Sequence, residues 1–293
     1  AFLSRLCEPF LSAVTTVGES HLEGLGSVEQ VAEEKKQIYM TNPPPVCVLN
    51  RDNFYTENML QELSALSRKI ISFSKEKKEV DVHLNFVKET PELSIVEGLL
   101  QGVSSKSEVA FSGEHNLENL MCACSIALGA GMKPQHIWDQ MSQCQLPEGR
   151  QKWFPMNNQK SCILFDSYNS NPMSMRAFLR TCERAPFSKK VFVLGDMQEL
   201  GVHSEKYHKE IASHPVLLKA FMVCFIGDYG SIFEKTLRDK GFQGEFLKMS
   251  HYDKKSLLFL QDLLNNPCLL GIKASRSLAL ERLFFDLTKT KTL

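Results

Sequence analysis

The sequence has no excess of charge of either sign: among its 293 residues, Lys+Arg and Asp+Glu number 34 each. Without a net basic field, nothing gathers nucleic acid or an anionic membrane surface at long range, so any anionic ligand must be held by local groups. A long apolar run is also missing. No stretch approaches the roughly 20 residues of a membrane-spanning helix, and no basic region leads into a signal-type apolar segment at the N-terminus. Cysteine occurs nine times but never in C-x-x-C spacing; the tightest pair, Cys122 and Cys124, does not match the thioredoxin-type or paired-cysteine zinc patterns. The cysteines mostly sit in apolar runs, which reads as reduced core thiols of a cytosolic protein. The pattern G-x-x-x-x-G-K-[ST] is absent, since "GLLQGVSSKS" has no Gly-Lys pair, and with it the phosphate-cradling loop of that type. There is no internal repeat and no low-complexity segment, and "SKEKKEVD" reads as a solvated hairpin or turn. The opening "AFLSRLCEPFLSAVTTVG" has no initiator Met and reads as entering mid-element.

What remains is an ordinary globular composition, 43% hydrophobic and 23% charged, long enough for two domains. In the first half, strands are expected at Val46–Leu49, Lys69–Ser74, Val80–Val87 and Val109–Ser112, with helices at Tyr55–Leu66 and Asn116–Gly129. After "QLPEGRQ" the alternation becomes regular. Strands at Cys162–Phe165, Lys190–Leu194, Phe221–Ile226 and Leu269–Ile272 are separated by helices at Ser174–Arg184, Ser204–Ser213, Ser231–Lys240 and Lys254–Leu264. A last helix covers Leu278–Leu287. Short apolar strands with helical crossovers predict a parallel, doubly wound sheet covered on both faces. The Pro147-Glu-Gly149 turn is the expected boundary, giving domains of 1–146 and 147–293.

Ligands of open α/β sheets bind beyond the carboxyl ends of the strands. Four stretches there carry suitable groups. "DSYNSNPMSM" offers Asp166, Asn169 and Asn171; "GDMQELG" places Asp196 and Glu199 after a glycine. "KASRS" puts two cations at a helix entry, and "GEHNLENL" sets Asn116 and Asn119 three apart on one helical face. Taken singly, each has a plainer reading as an N-cap or turn. His21 alone reads as a satisfied turn histidine, Lys35 as one charge on a solvated helix, and His203 and His208 have no metal-ligand partners in the sequence. Phe284 and Phe285 read as core.

In order along the chain, these stretches resemble the Mur ligase family. "VGESHLEGLGSVEQVAEEK" is similar to a segment of that family's central domain, "CVLNRD" to its next strand and loop, and "GEHNLENL" to its adenine-site helix. "GRQ", "DSYNSNPMSM", "VLGDMQELG" and "KASRS" follow in the family's order. The resemblance implies an α/β protein with a partial central ATPase domain followed by a Rossmann-like C-terminal domain. It implies a cytoplasmic, monomeric, ATP- and magnesium-dependent amide ligase that works through an acyl phosphate, joining D-alanyl-D-alanine to UDP-N-acetylmuramoyl-tripeptide in peptidoglycan synthesis. The alternatives are another amino-acid ligase of the superfamily or a non-catalytic truncated relative.

By the same resemblance His21 is a magnesium ligand, and Lys35 is a lysine carried as a carbamate, with Lys36 the alternative one register on. Glu33 and Glu34 are not counted as ligands. Asn116 and Asn119 read the adenine, Arg150 reaches the phosphates, Asp166 accepts from the ribose and Asn169 lines that loop. Asp196, Glu199, Lys273, Ser275 and Arg276 face the incoming amino-acid substrate, with Lys273 or Arg276 holding a carboxylate. The sequence also departs from the family. Its phosphate loop, N-terminal nucleotide-sugar domain and magnesium glutamate would precede residue 1, so the chain alone is expected to be inactive. Thr16 stands where the family usually has Asn, and Ala274 where it usually has Gly.

Overall fold

In the computed structural model, residues 2–40, 44–66, 68–90, 93–156, 160–251 and 254–289 are described. The chain divides into two compact units, one of residues 1–18 and 25–145, the other of 19–24 and 146–293. The six residues Glu19–Gly24 thus pack with a unit whose remaining residues begin far downstream.

The first unit is built on a six-stranded sheet in sequential order: β1 (Leu11–Val14), β2 (Val46–Asn50), β3 (Lys69–Phe73), β4 (Val82–Glu89), β5 (Ser94–Leu100) and β6 (Val103–Val109). The pairs β1–β2, β2–β3 and β3–β4 are parallel, while β4–β5 and β5–β6 are antiparallel. All five residues of β2 are buried, because the helix Glu114–Gly129 crosses the sheet from β1 to β4 and the helix Phe54–Ala65 also packs on β2. That double coverage explains the continuous apolar run "VCVL". Beyond β4 the sheet becomes a meander whose last strand alternates exposed polar and partly covered residues.

The β5–β6 hairpin is a correction. The sequence reading expected a strand at Val109–Ser112 and none at Ser94–Leu100. Instead, Val109 ends β6, and Gln101 and Gly102, both left-handed with φ of 44° and 82°, make the two-residue turn. "VSSKSEV" is too polar to register as a strand by apolar content; antiparallel pairing and a turn that matches strand twist specify it instead.

The second unit carries β7 (Lys152–Met156), β8 (Ser161–Phe165), β9 (Lys190–Gly195), β10 (Met222–Ile226), β11 (Glu245–Met249) and β12 (Leu269–Lys273), ordered β11-β10-β9-β12-β8-β7. All neighbours are parallel except β7, an antiparallel edge that tolerates Pro155 because an edge has ladder positions to spare. The sequence reading left out both edge strands, β7 and β11. One sheet face packs Ile163, Phe165, Val191, Val193 and Ile272 against Leu260, Leu264, Leu283 and Phe284. On the other face, Phe178 and Cys182 of the helix Pro172–Arg184 lie against Gly271, where a side chain would crowd both.

All nine cysteines are free thiols; Cys7 is exposed, Cys144 half-buried and the other seven buried. Among the described residues no helix is long and apolar enough to cross a membrane.

Candidate functional site

In the first unit the loop after β1 is held from β2. Asn50 donates its side-chain amide to the Thr15 carbonyl at 2.9 Å, and Asn53 donates to the Val17 carbonyl at 2.8 Å and the Thr16 hydroxyl at 3.2 Å. Asn53 also caps the helix Phe54–Ala65. Into this loop reaches Lys35, from the helix Val28–Met40, donating from Nζ to the Thr16 carbonyl at 2.8 Å. Its partner is an uncharged carbonyl, and burial lowers the pKa of the amine. Lys36 is its opposite. It pairs with Glu33 at 2.9 Å and Glu62 at 3.3 Å, and the Glu33 hydrogen bond leads the effects that raise its pKa. Two neighbouring lysines thus keep different chemistry, and only Lys35 is biased toward the neutral, nucleophilic amine. Of the expected adenine readers, Asn116 is buried and donates to the Ser112 carbonyl at 2.7 Å, while Asn119 is exposed on the same helix.

In the second unit, parallel pairing brings the loops after β8, β12 and β9 side by side at the carboxyl edge of the sheet. Lys273 ends β12 fully buried. Its Nζ reaches Asp166 Oδ2 at 2.7 Å, the Asn169 carbonyl at 3.0 Å and the Asp166 carbonyl at 3.4 Å. An ammonium has three donors, so this lysine, one of the two expected to hold a substrate carboxylate, is spent on fixing the loop after β8. The Asp166 carboxylate, 6% exposed, also accepts from the Gln151 amide at 3.4 Å.

Asp196 shows a similar substitution of roles. Expected to face substrate, it accepts from the backbone amides of Asp228 at 2.8 Å and Tyr229 at 3.2 Å, tying the loop after β10 to the loop after β9. Next to it lies His208, fully buried and stacked on Tyr229 with ring centroids 4.2 Å apart. The Met197 amide donates to its Nε2 at 3.0 Å, so Nδ1 carries the proton and donates to the Ser204 carbonyl at 2.7 Å. Burial lowers its pKa. Sequence reasoning assigned no role to His208; its spacing on the helix Ser204–Ala212 gave no signal of a partner on the loop after β9.

Ser275 is buried and cross-braces the same edge, accepting from the Gln198 amide at 2.9 Å and donating to the Ser170 carbonyl at 3.5 Å. Glu199 meets His21, with Nδ1 and Oε2 2.5 Å apart. Both residues are left-handed, at φ 62° and 57°, a conformation costly for non-glycine residues. The Glu19–Gly24 segment that carries His21 is further held by Arg176, which grips Glu19 at 2.8 and 3.3 Å and Glu210 at 2.7 Å. Burial alone would raise the Glu19 pKa, but the Arg176 hydrogen bond and charge prevail and lower it.

Arg150 and Arg276 are both exposed, and both stack on Tyr168, 48% exposed, with guanidinium carbons 4.3 and 5.5 Å from the ring centroid. Tyr168 was not singled out from the sequence. Among the described residues no three His, Cys, Asp or Glu side chains are grouped to hold a metal by themselves.

Residues 1–127 match the Mur ligase middle domain and residues 149–254 the Mur ligase, glutamate ligase domain. The UDP-N-acetylmuramoyl-tripeptide--D-alanyl-D-alanine ligase of Bacillus subtilis (strain 168) is 30% identical over 293 residues, covering 98% of this chain and 61% of that protein. The Haemophilus influenzae ligase of the same name is 24% identical over 98% of the chain and 61% of its own length. The chain therefore spans about 61% of the length of these relatives. Among solved structures, MurF from Acinetobacter baumannii superposes with a TM-score of 0.82 at 24% identity, over 99% of this chain and 62% of that one. The Thermotoga maritima MurF in complex with ADP superposes at 0.77 and 20% identity, over 98% and 64%.

Proposed function

The chain belongs to the Mur ligase family, carrying its middle and C-terminal domains, and from that premise we propose that the protein is the ATP-dependent ligase that joins D-alanyl-D-alanine to UDP-N-acetylmuramoyl-tripeptide. The observation that carries the reading is the alignment at 30% identity along nearly the whole chain, through both units, with a ligase of that name.

In the proposed reaction a carboxylate oxygen of the tripeptide attacks the γ-phosphorus of ATP, releasing ADP and leaving an acyl phosphate. The dipeptide amine then attacks the acyl carbon, loses a proton, and expels inorganic phosphate as the amide forms. Arg150 supplies fixed positive charge where negative charge develops during phosphoryl transfer. Asn116 and Asn119 serve the adenine and Asp166 the ribose, with Asn169 on the same loop. Glu199 and Ser275 serve the acceptor side, while Asp196 and Lys273 act there by holding loops in place.

Lys35 suits the carbamate role on physical grounds. Carbon dioxide adds to a neutral amine with loss of one proton, and burial favours the neutral form here. The imidazole of His21 has Nδ1 engaged by Glu199, which leaves Nε2 as its metal-binding nitrogen. The oxygens of a carbamate on Lys35 would suit a hard cation, which prefers oxygen ligands and takes others from phosphate and water. Magnesium, for which the resemblance implies His21 and carbamylated Lys35 as ligands, would neutralise phosphate charge.

The test is phosphate release by the whole natural protein with ATP, magnesium and UDP-N-acetylmuramoyl-tripeptide, with D-alanyl-D-alanine or single amino acids as acceptor. Release that requires the dipeptide is expected. Equal release with a single amino acid would assign the protein to a different ligase of the family.

A further inference from the structure

We propose that Tyr168 is a positioning residue whose ring seats Arg150 and Arg276 as one clamp for a phosphate-type oxyanion, so that Arg276 serves the phosphate rather than the acceptor's carboxylate. This rests on the ATP-dependent reading above. It departs from the division of labour the sequence suggested, in which Arg150 and Arg276 belong to different substrates.

The guanidinium carbons lie 4.3 and 5.5 Å from the centroid of the same ring, both within the roughly 6 Å over which a cation is attracted to an aromatic face. Among the described residues neither guanidinium pairs with a carboxylate; Asp166, on the loop that carries Tyr168, is already neutralised by Lys273 at 2.7 Å. Two like charges held at one ring without a counter-ion suit an anion of more than one negative charge. A phosphate group carries that charge and a carboxylate does not.

On the Arg150 side, the Tyr168 amide donates to the Gly149 carbonyl at 3.3 Å. On the Arg276 side, Ser275 donates to the Ser170 carbonyl and accepts from Gln198. The ring is therefore braced next to each arginine, and a guanidinium held over a ring by its charge still has N–H donors for a ligand. The same loop holds two further hydroxyls, of Ser167 and Ser170, 2% and 3% exposed and without a partner in the protein. Unsatisfied buried hydroxyls on either side of Tyr168 mark a loop whose hydrogen bonding is not completed internally.

The experiment is calorimetric titration of the purified protein with tripolyphosphate, and separately with D-alanyl-D-alanine, at fixed ionic strength. Tyr168→Leu and Arg276→Ala should each weaken tripolyphosphate binding about tenfold, whereas Tyr168→Phe, which keeps the ring, should stay within about twofold. Because Tyr168 acts through the arginines, the Arg276→Ala effect should shrink in the Tyr168→Leu background, with thermal midpoints of all variants unchanged. Arg276→Ala lowering only dipeptide binding would overturn the proposal, as would Tyr168→Leu binding like the unaltered protein. So would an unaltered protein that binds no tripolyphosphate. If Arg150→Ala alone weakens tripolyphosphate binding, the clamp fails while the ATP reading stands. An intact clamp in a protein without dipeptide-dependent phosphate release keeps this inference and removes the ligase reading.

Discussion

Gly227 combines a backbone requirement with a steric one. It sits at φ 131°, and a Cβ there would lie inside the Asp196 carboxylate, the group that accepts from the next two amides. Gly227→Ala must therefore distort the backbone and expel a buried carboxylate from its donors. A loss of about 2–4 kcal/mol is expected in urea unfolding; a loss below about 0.5 kcal/mol, the scale of a neutral surface change, would show the contact to be dispensable. Lys35 and Lys36 make a sharper comparison, since they are adjacent but differently solvated. With ¹³C-labelled bicarbonate, a carbamate resonance is expected in the unaltered protein and in Lys36→Ala, and its loss in Lys35→Ala. Phosphate release in the whole natural protein should follow the same pattern. The reverse pattern would move the carbamate to Lys36.

The three loops at the carboxyl edge of the second sheet are joined by buried polar pairs, and their energetics belong to the elements they connect. Lys273→Met leaves the Asp166 charge buried beside no cation and should cost about 3–5 kcal/mol. In the double variant with Asp166→Asn, much of that loss should return, so denaturant titration of the full cycle should show strong coupling. Additive losses would mean that the ion pair does not hold the loop. His208 gives these loops a pH dependence. Its folded pKa lies below the ordinary value because burial opposes the charge, so the unfolded imidazole takes up its proton first as pH falls. The stability it contributes is complete above about 6.5, the unperturbed value, and declines from there down through the folded pKa. His208→Gln should flatten the thermal midpoint between pH 7 and the acid carboxylate range; an unchanged slope would exclude His208 as its source. These pairings also define what the sequence could convey. The strand–helix alternation after residue 160 follows from period and apolarity alone, and so did the loops to inspect. The reach of His208 to Met197 and the spending of Lys273 on Asp166 did not, because they depend on which strands become neighbours. β12 inserts between β9 and β8, a placement no local pattern encodes. The β5–β6 hairpin escaped for the opposite reason: its strands are specified by pairing, while their side chains are largely polar.

At the scale of the whole molecule, thiol chemistry tests the burial pattern. Burial pushes the Cys47 thiol up to about 11 and those of Cys124 and Cys224 up to about 12, which leaves almost no thiolate at neutral pH. With Cys7 the only exposed cysteine, a disulfide-exchange reagent should label it quickly, Cys144 slowly, and the remaining seven only on unfolding. Rapid labelling of several cysteines would contradict the two cores. The segment Glu19–Gly24 has a consequence in time rather than in space. His21 and Glu199 are separated by 178 residues, and Glu19 and Arg176 by 157. During synthesis these six residues leave the ribosome long before their partners exist, and closing loops of that length is entropically costly. The second unit is therefore expected to assemble its own strands first and take in the early segment last, so that the left-handed backbone at His21 and Glu199 would be imposed at the end of folding, by a body already formed.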